Sequence, residues 1–171
     1  MVQASFHRTA KRAVSRGRLH EFSSRIHELR HGWNCALVDP PKVGESQSKL
    51  NGAGVSTYGE TGVRYICDFM TPSMTLIVGR TKTAEDFAAT TLSAESPGVT
   101  THRVDGADID VEDHTYPNGR AEQTVQILDH DRYAFVSLQL ETKPGSDLPE
   151  GWDTQDTAQL LADLVRSQRG D

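Results

Sequence analysis

The residues best able to do chemistry fall in one acidic run. Asp105, Asp108, Asp110, Glu112 and Asp113 lead directly to His114. Carboxylates and imidazoles bind metals, provided that they converge on one point. Asp108, Asp110 and Glu112 alternate with Ile109 and Val111, so on a strand they share a face. With His114 they form the candidate metal set. Their spacing does not match the calcium-loop pattern, and a solvated strand face is the simpler reading. A second candidate is Asp129-His130-Asp131, in which a carboxylate could orient a histidine for base catalysis. Neighbouring side chains in a short turn usually face water, so His130 is expected to be non-catalytic.

Other motifs exclude more than they offer. The chain has no Gly-x-Ser-x-Gly elbow, and neither cysteine has a catalytic signature around it. No catalytic residue is therefore assigned. Gly52, Gly54, Gly59 and Gly62 lack the Gly-Lys-Ser/Thr ending of a phosphate loop, and no motif asks for a cofactor. Trp33, Tyr58, Trp152 and His114 are the candidate contacts for a ligand or partner, with core or lid packing as the alternative for the two tryptophans. Cys35 and Cys67 are not a Cys-x-x-Cys pair, which disfavours a redox motif or zinc ribbon. Two buried thiols and a disulfide both remain open.

The elements that must position these groups follow from pattern. Val63, Tyr65, Cys67 and Phe69 alternate with Arg64, Ile66 and Asp68. After Pro72-Ser73, the alternation resumes with Met74, Leu76 and Val78. Such runs across a short turn predict an antiparallel hairpin with Cys67 on its inward face. Thr83 is a good N-cap for a helix carrying Phe87, Ala88 and Leu92, with Ala84 as a further candidate, and Ser96-Pro97-Gly98 should end it. Strands follow at 99–104, 107–112, 124–128 and 133–141. Asp153 or Thr154 should cap a last helix whose apolar face is Ala158, Leu160, Leu161, Leu164 and Val165, with Arg166 and Arg169 suiting its C-terminus. Residues 42–50 read as one or two helical turns, and Asn51 to Gly62 as a glycine-rich loop. The predicted fold class is α+β: an antiparallel sheet of about five or six strands with helices packed on one face.

At 171 residues, 36% of them hydrophobic, the chain suits one domain. A domain of this size buries about 70% of its unfolded surface. The net charge is -6 but unevenly placed. Residues 1–31 hold seven Lys and Arg against two Glu, a net of +5, so the remainder carries -11. That balance argues against a nucleic-acid partner for the acidic body. Leu19, Phe22, Ile26 and Leu29 give residues 1–31 one narrow helical stripe. The segment reads as a poorly ordered basic extension to a single domain at 32–171. Its alternative role is that of a basic amphipathic helix making peripheral contact with an anionic membrane or a nucleic acid. No run approaches the roughly 18 apolar residues of a transmembrane helix, and the N-terminus lacks the apolar core of a secretory signal.

The order of features resembles a family of small actinobacterial secreted lipoproteins catalogued as a domain of unknown function. The likeness runs over about residues 33–168. It is carried by Cys35-Ala-Leu37, the Gly52–Gly62 loop, Cys67-Asp-Phe69, Leu76-Ile-Val78, the Phe87 helix, Val104-Asp-Gly106-Ala107 and the Leu160 helix. The resemblance implies a secreted, non-catalytic module with Cys35 and Cys67 paired. The chain departs from it in lacking a signal peptide and a lipobox cysteine. Envelope or secreted localisation then requires a different natural start, and a cytoplasmic location is expected otherwise.

Three functions fit. The first is a non-enzymatic, envelope-associated or secreted protein that binds a small ligand or a protein partner. The second is a cytosolic metal-dependent hydrolase using the strand from Asp108 to His114. The third is a phage structural subunit with a basic N-terminal arm. Because residues 1–31 lack a broad apolar face, their deletion should leave the thermal midpoint within about 5 °C, on the order of 1 kcal/mol at this size. Calorimetry of the truncated and full chains checks this.

Overall fold

The computed structural model describes residue 35 and residues 38–58, 62–70, 72–142 and 148–167. The predicted helix over Leu19–Leu29, Trp33 and Arg169 lie outside them. Seven strands make one sheet: β3 (Lys49–Tyr58), β4 (Gly62–Met70), β5 (Ser73–Arg80), β6 (Val99–Val104), β7 (Ala107–Thr115), β8 (Ala121–Asp129) and β9 (Ala134–Thr142). Their order is β3-β4-β5-β9-β8-β7-β6, and every neighbouring pair is antiparallel. The chain runs inward from β3 to β5, crosses to the far edge, and returns from β6 to β9 against β5. Two short strands, β1 (Lys42–Val43) and β2 (Ser46–Gln47), form a separate hairpin.

Alternation explains which face is dry. Cys67, Leu76, Leu138, Val125 and Val111 stand in register across β4, β5, β9, β8 and β7, and all five are fully buried. Val78, Val136 and Ile127 make the next row, and Phe69, Met74 and Leu140 flank on the other side. Among the described residues, two covers lie over this face. Helix α2 (Thr154–Ser167) packs on β6, β7 and β8 through Ala158, Leu160, Leu161, Ala162 and Leu164. Cys35, Val38 and Val43 join the same core from the segment before β3. Cys35 forms a disulfide with Cys67 across 32 residues, with a Cα–Cα distance of 5.5 Å.

Local chemistry fixes the ends of the elements. Asp153 caps α2: its Oδ1 accepts from the Gln155 and Asp156 amides at 2.8 and 3.1 Å, while Asp156 Oδ2 accepts from the Asp153 amide at 2.9 Å. This reciprocal arrangement satisfies amides that the helix itself leaves unpaired. Thr83 Oγ1 accepts from the Asp86 amide at 3.1 Å and caps α1 (Ala84–Thr90). The β6–β7 turn is Asp105-Gly106, with φ of 50° and 83°. Positive φ at both central residues is the geometry that matches the twist of a two-residue hairpin.

Several expectations are corrected. The sheet has seven strands rather than five or six, because the expected glycine-rich loop is mostly β3. Residues 42–50 make β1, β2 and the start of β3 rather than helical turns. Helix α1 stops at Thr90, not at Ser96-Pro97-Gly98. There the Thr90 and Thr91 hydroxyls donate to the Asp86 and Phe87 carbonyls at 2.7 and 2.8 Å, competing with the helical ladder. Of the α1 residues expected inside, Phe87 is buried while Ala84 and Ala88 are exposed. The helices also do not share a face. The segment after α1 bonds through the Leu92 amide to Gln126 Oε1 at 2.6 Å, and Gln126 points away from its neighbours Val125 and Ile127. Among the described residues no helix is long and apolar enough to cross a membrane.

Gly79 shows how tight the second face becomes beside β9. A Cβ there would lie 2.3 Å from the Phe135 ring. Gly79→Ala should therefore destabilise by about 1–3 kcal/mol through overpacking. Gly54→Ala, where a Cβ meets nothing within 4 Å, should shift stability by less than about 0.5 kcal/mol or raise it slightly. Urea unfolding of the two variants checks the contrast.

Candidate functional site

The face of the sheet opposite the disulfide carries one polar row. Asp68, Thr75, Gln139, Thr124 and Glu112 stand in register across β4, β5, β9, β8 and β7, each half-buried. The next row is mixed: Ile66 and Ile77, half-buried, continue into Ser137 and Gln126, both buried. Thr75 Oγ1 donates to Asp68 Oδ1 at 2.8 Å, and Gln126 is bound to the segment after α1. An antiparallel sheet can present such a face to solvent or to a ligand while its other side stays dry. The row offers hydroxyl, carboxamide and carboxylate groups within one strip, which suits a polar ligand that hydrogen-bonds to several strands.

The acidic run forms the β7 end of this face. Asp108, Asp110, Glu112 and His114 do share it, as alternation predicts, but their neighbours use them separately. Arg103 reaches Asp108 at 2.5 Å. Both side chains are more than half exposed, so the pair contributes at most about 1 kcal/mol. Thr101 Oγ1 donates to Asp110 Oδ1 at 2.6 Å. Glu112 stands opposite Thr124 and Val99. Among the described residues no three His, Cys, Asp or Glu side chains are grouped to hold a metal ion.

His114 belongs to a different cluster, at the β7–β8 turn. Its ring meets Tyr116 edge-on at 4.4 Å. The Arg120 guanidinium lies over the same tyrosine, 4.4 Å from the ring centroid. It also reaches Glu122 at 3.3 Å and Glu141 at 3.8 Å. The hydrogen bond with Tyr116 raises Arg120 above its ordinary pKa, against a loss from burial, and Glu141 and Glu122 add to the rise. A guanidinium is already charged at any physiological pH, so this stacked cation is permanent.

The remaining candidates have structural work. Asp129 Oδ1 accepts from the Asp131 and Arg132 amides at 3.1 and 3.3 Å, closing the β8–β9 turn. The His130 ring stands edge-on to Phe87 at 5.3 Å. Trp152 packs against the core, and its Nε1 donates to Thr157 Oγ1 at 2.8 Å. Thr157, fully buried, donates in turn to Gln123 Oε1 on β8. Tyr58 ends β3, but its side chain lies outside the description, as does all of Trp33. Sequence reasoning passed over His102. Its Nδ1 and Nε2 lie 2.8 Å from Gln155 Oε1 and 3.0 Å from Thr154 Oγ1, joining β6 to the first turn of α2. The available signal was alternation, since His102 falls in phase with the buried Val104.

A scan against protein-family models returns no match, and searches of curated proteins and of solved structures return none either.

The Trp152–Thr157–Gln123 chain joins α2 to the sheet through buried polar atoms. Thr157→Val keeps the shape and strands the indole N–H and the Gln123 carbonyl. It should cost about 1–3 kcal/mol and shift the indole emission. Gln159→Ala, which removes an exposed bond to Asp163, should cost less than about 0.5 kcal/mol. Urea titrations followed by fluorescence separate the two.

Proposed function

We propose that this protein is a non-enzymatic binding module of the cell envelope or the extracellular space, taking a small ligand or a protein partner on the polar face of its sheet. The observation that carries the reading is the buried Cys35–Cys67 disulfide. Disulfides persist in oxidising compartments and are scarce where thiols are kept reduced. The resemblance to small actinobacterial secreted lipoproteins points the same way. The polar row of Asp68, Thr75, Gln139, Thr124 and Glu112 supports a binding role, because it gathers groups from five strands on one accessible face.

The experiment is a thiol count on protein recovered from its native cells, unfolded without reductant. No reactive thiol is expected before reduction and two after it, with the protein in the envelope or the medium. Two reactive thiols in a cytosolic protein would overturn the reading.

A further inference from the structure

We infer that β3 is a dimerisation edge, on which a second copy of this chain pairs antiparallel and extends the sheet across a two-fold axis near Val55. This stands apart from the functional reading above. Among the described residues β3 pairs with β4 alone, so its other edge presents unpaired backbone groups. Proteins usually blunt such an edge with charge, proline or short length. β3 runs from Lys49 to Tyr58 and, past Lys49, carries neither charge nor proline.

The large exposed hydrophobics of the described chain also gather here. Leu50 (40%), Val55 (64%), Val63 (42%) and Met70 (51%) all lie on β3 and β4. Val55 is in register with Tyr65 and Leu50 with Phe69, so with Val63 they belong to the apolar face, carried outward to the edge. A patch of this kind marks an interaction surface.

The occupant follows from register. Residues paired across a continuous antiparallel sheet must point to the same face. The ladder with β4 shifts between Leu50 and Gly52, which leaves 52–58 as the regular stretch. Pairing that stretch with its own copy in full places Val55 on the axis. Ala53 then faces Thr57, Gly54 faces Ser56, and Gly52 faces Tyr58. No charge opposes a like charge in this arrangement, and the most exposed hydrophobic residue packs against itself. A neutral strand offers no complementary charge to select a different peptide, whereas self-pairing matches 52–58 on both copies. The contact is one strand wide, which places it among small, weak interfaces.

Sedimentation of the full chain across a concentration series tests this. A monomer–dimer equilibrium is expected, with Val55→Lys monomeric throughout. Val55→Cys gives a second readout, because both native cysteines are already paired. Directly opposed residues have Cβ atoms about 4.5–5.5 Å apart, so mild oxidation should link V55C into a dimer. Val63→Cys, one strand further in and in register with Thr57, should stay unlinked, its copies being about 20 Å apart across three strand spacings and four residues along the strands. A wild type that remains monomeric to about 1 mM, a dimer that V55K leaves intact, or linkage of V63C in preference to V55C would each overturn the proposal.

Discussion

The tie between Cys35 and Cys67 is what lets one apolar sheet face be covered by two unlike pieces of chain. Over β6 to β8 the cover is α2, a 14-residue amphipathic helix that brings its own row of leucines. Beside Cys67 the cover comes from the segment before β3, whose described strands are two of two residues each. Among the described residues it contributes Val38 and Val43 beside Cys35 to the core, each worth about 1.5–3 kcal/mol on full burial. Closing a 32-residue loop restricts the unfolded chain by about 3.7 kcal/mol in the chain-entropy estimate. The covalent link is therefore of the same order as the burial of these two valines. Its inner sulfur sits on the fully buried row from Cys67 to Val111, so the weakest cover is anchored to the firmest part of the sheet.

That dry row has a polar counterpart directly behind it. Because side chains alternate, the strands that supply Leu76, Leu138 and Val125 to the core supply Thr75, Gln139 and Thr124 to the opposite face. A binding surface built this way inherits the rigidity of the core. Each polar group is held by a backbone whose next residue is packed. The α1 end of this face is filled differently, by Phe135 over Gly79 and by Phe87 against His130 and Tyr133. The polar row thus runs beside an aromatic block at one margin and the Tyr116–Arg120 stack at the other.

What could be read in the chain beforehand was local. Alternation marked β4, β5, β7 and β9 and placed Cys67 inward; helical spacing marked α2; Thr83 and Asp153 were visible as caps. β3 was hidden because Gly52 and Gly54 remove side chains from one face and leave only Ala53, Val55 and Thr57 to show a period of two. Its strand character comes from pairing with β4, and that pairing is tertiary. The site was half legible for the same reason. That Asp108, Asp110 and Glu112 share a face follows from spacing within one strand. That Arg103 and Thr101 occupy two of them depends on the register with β6, which no local pattern contains. The same holds for His102, whose partners lie 52 and 53 residues away.

The two edges of the sheet differ in a way that bears on assembly. β6 is six residues long and carries Arg103, while His102 fastens it to Thr154 and Gln155 at the start of α2. Short length and charge are the ordinary protections of an edge. β3 is ten residues long and has neither protection over most of its length. A sheet with two open edges would add copies without limit and form fibres, since a contact between unlike edges does not close. With β3 the unguarded edge among the described residues, the proposed pairing joins a copy to another β3. Such a contact is isologous, and it uses up the one open edge on each partner. In the proposed dimer the asymmetry between β3 and β6 would limit growth to two copies, because the guarded edge would stop a third.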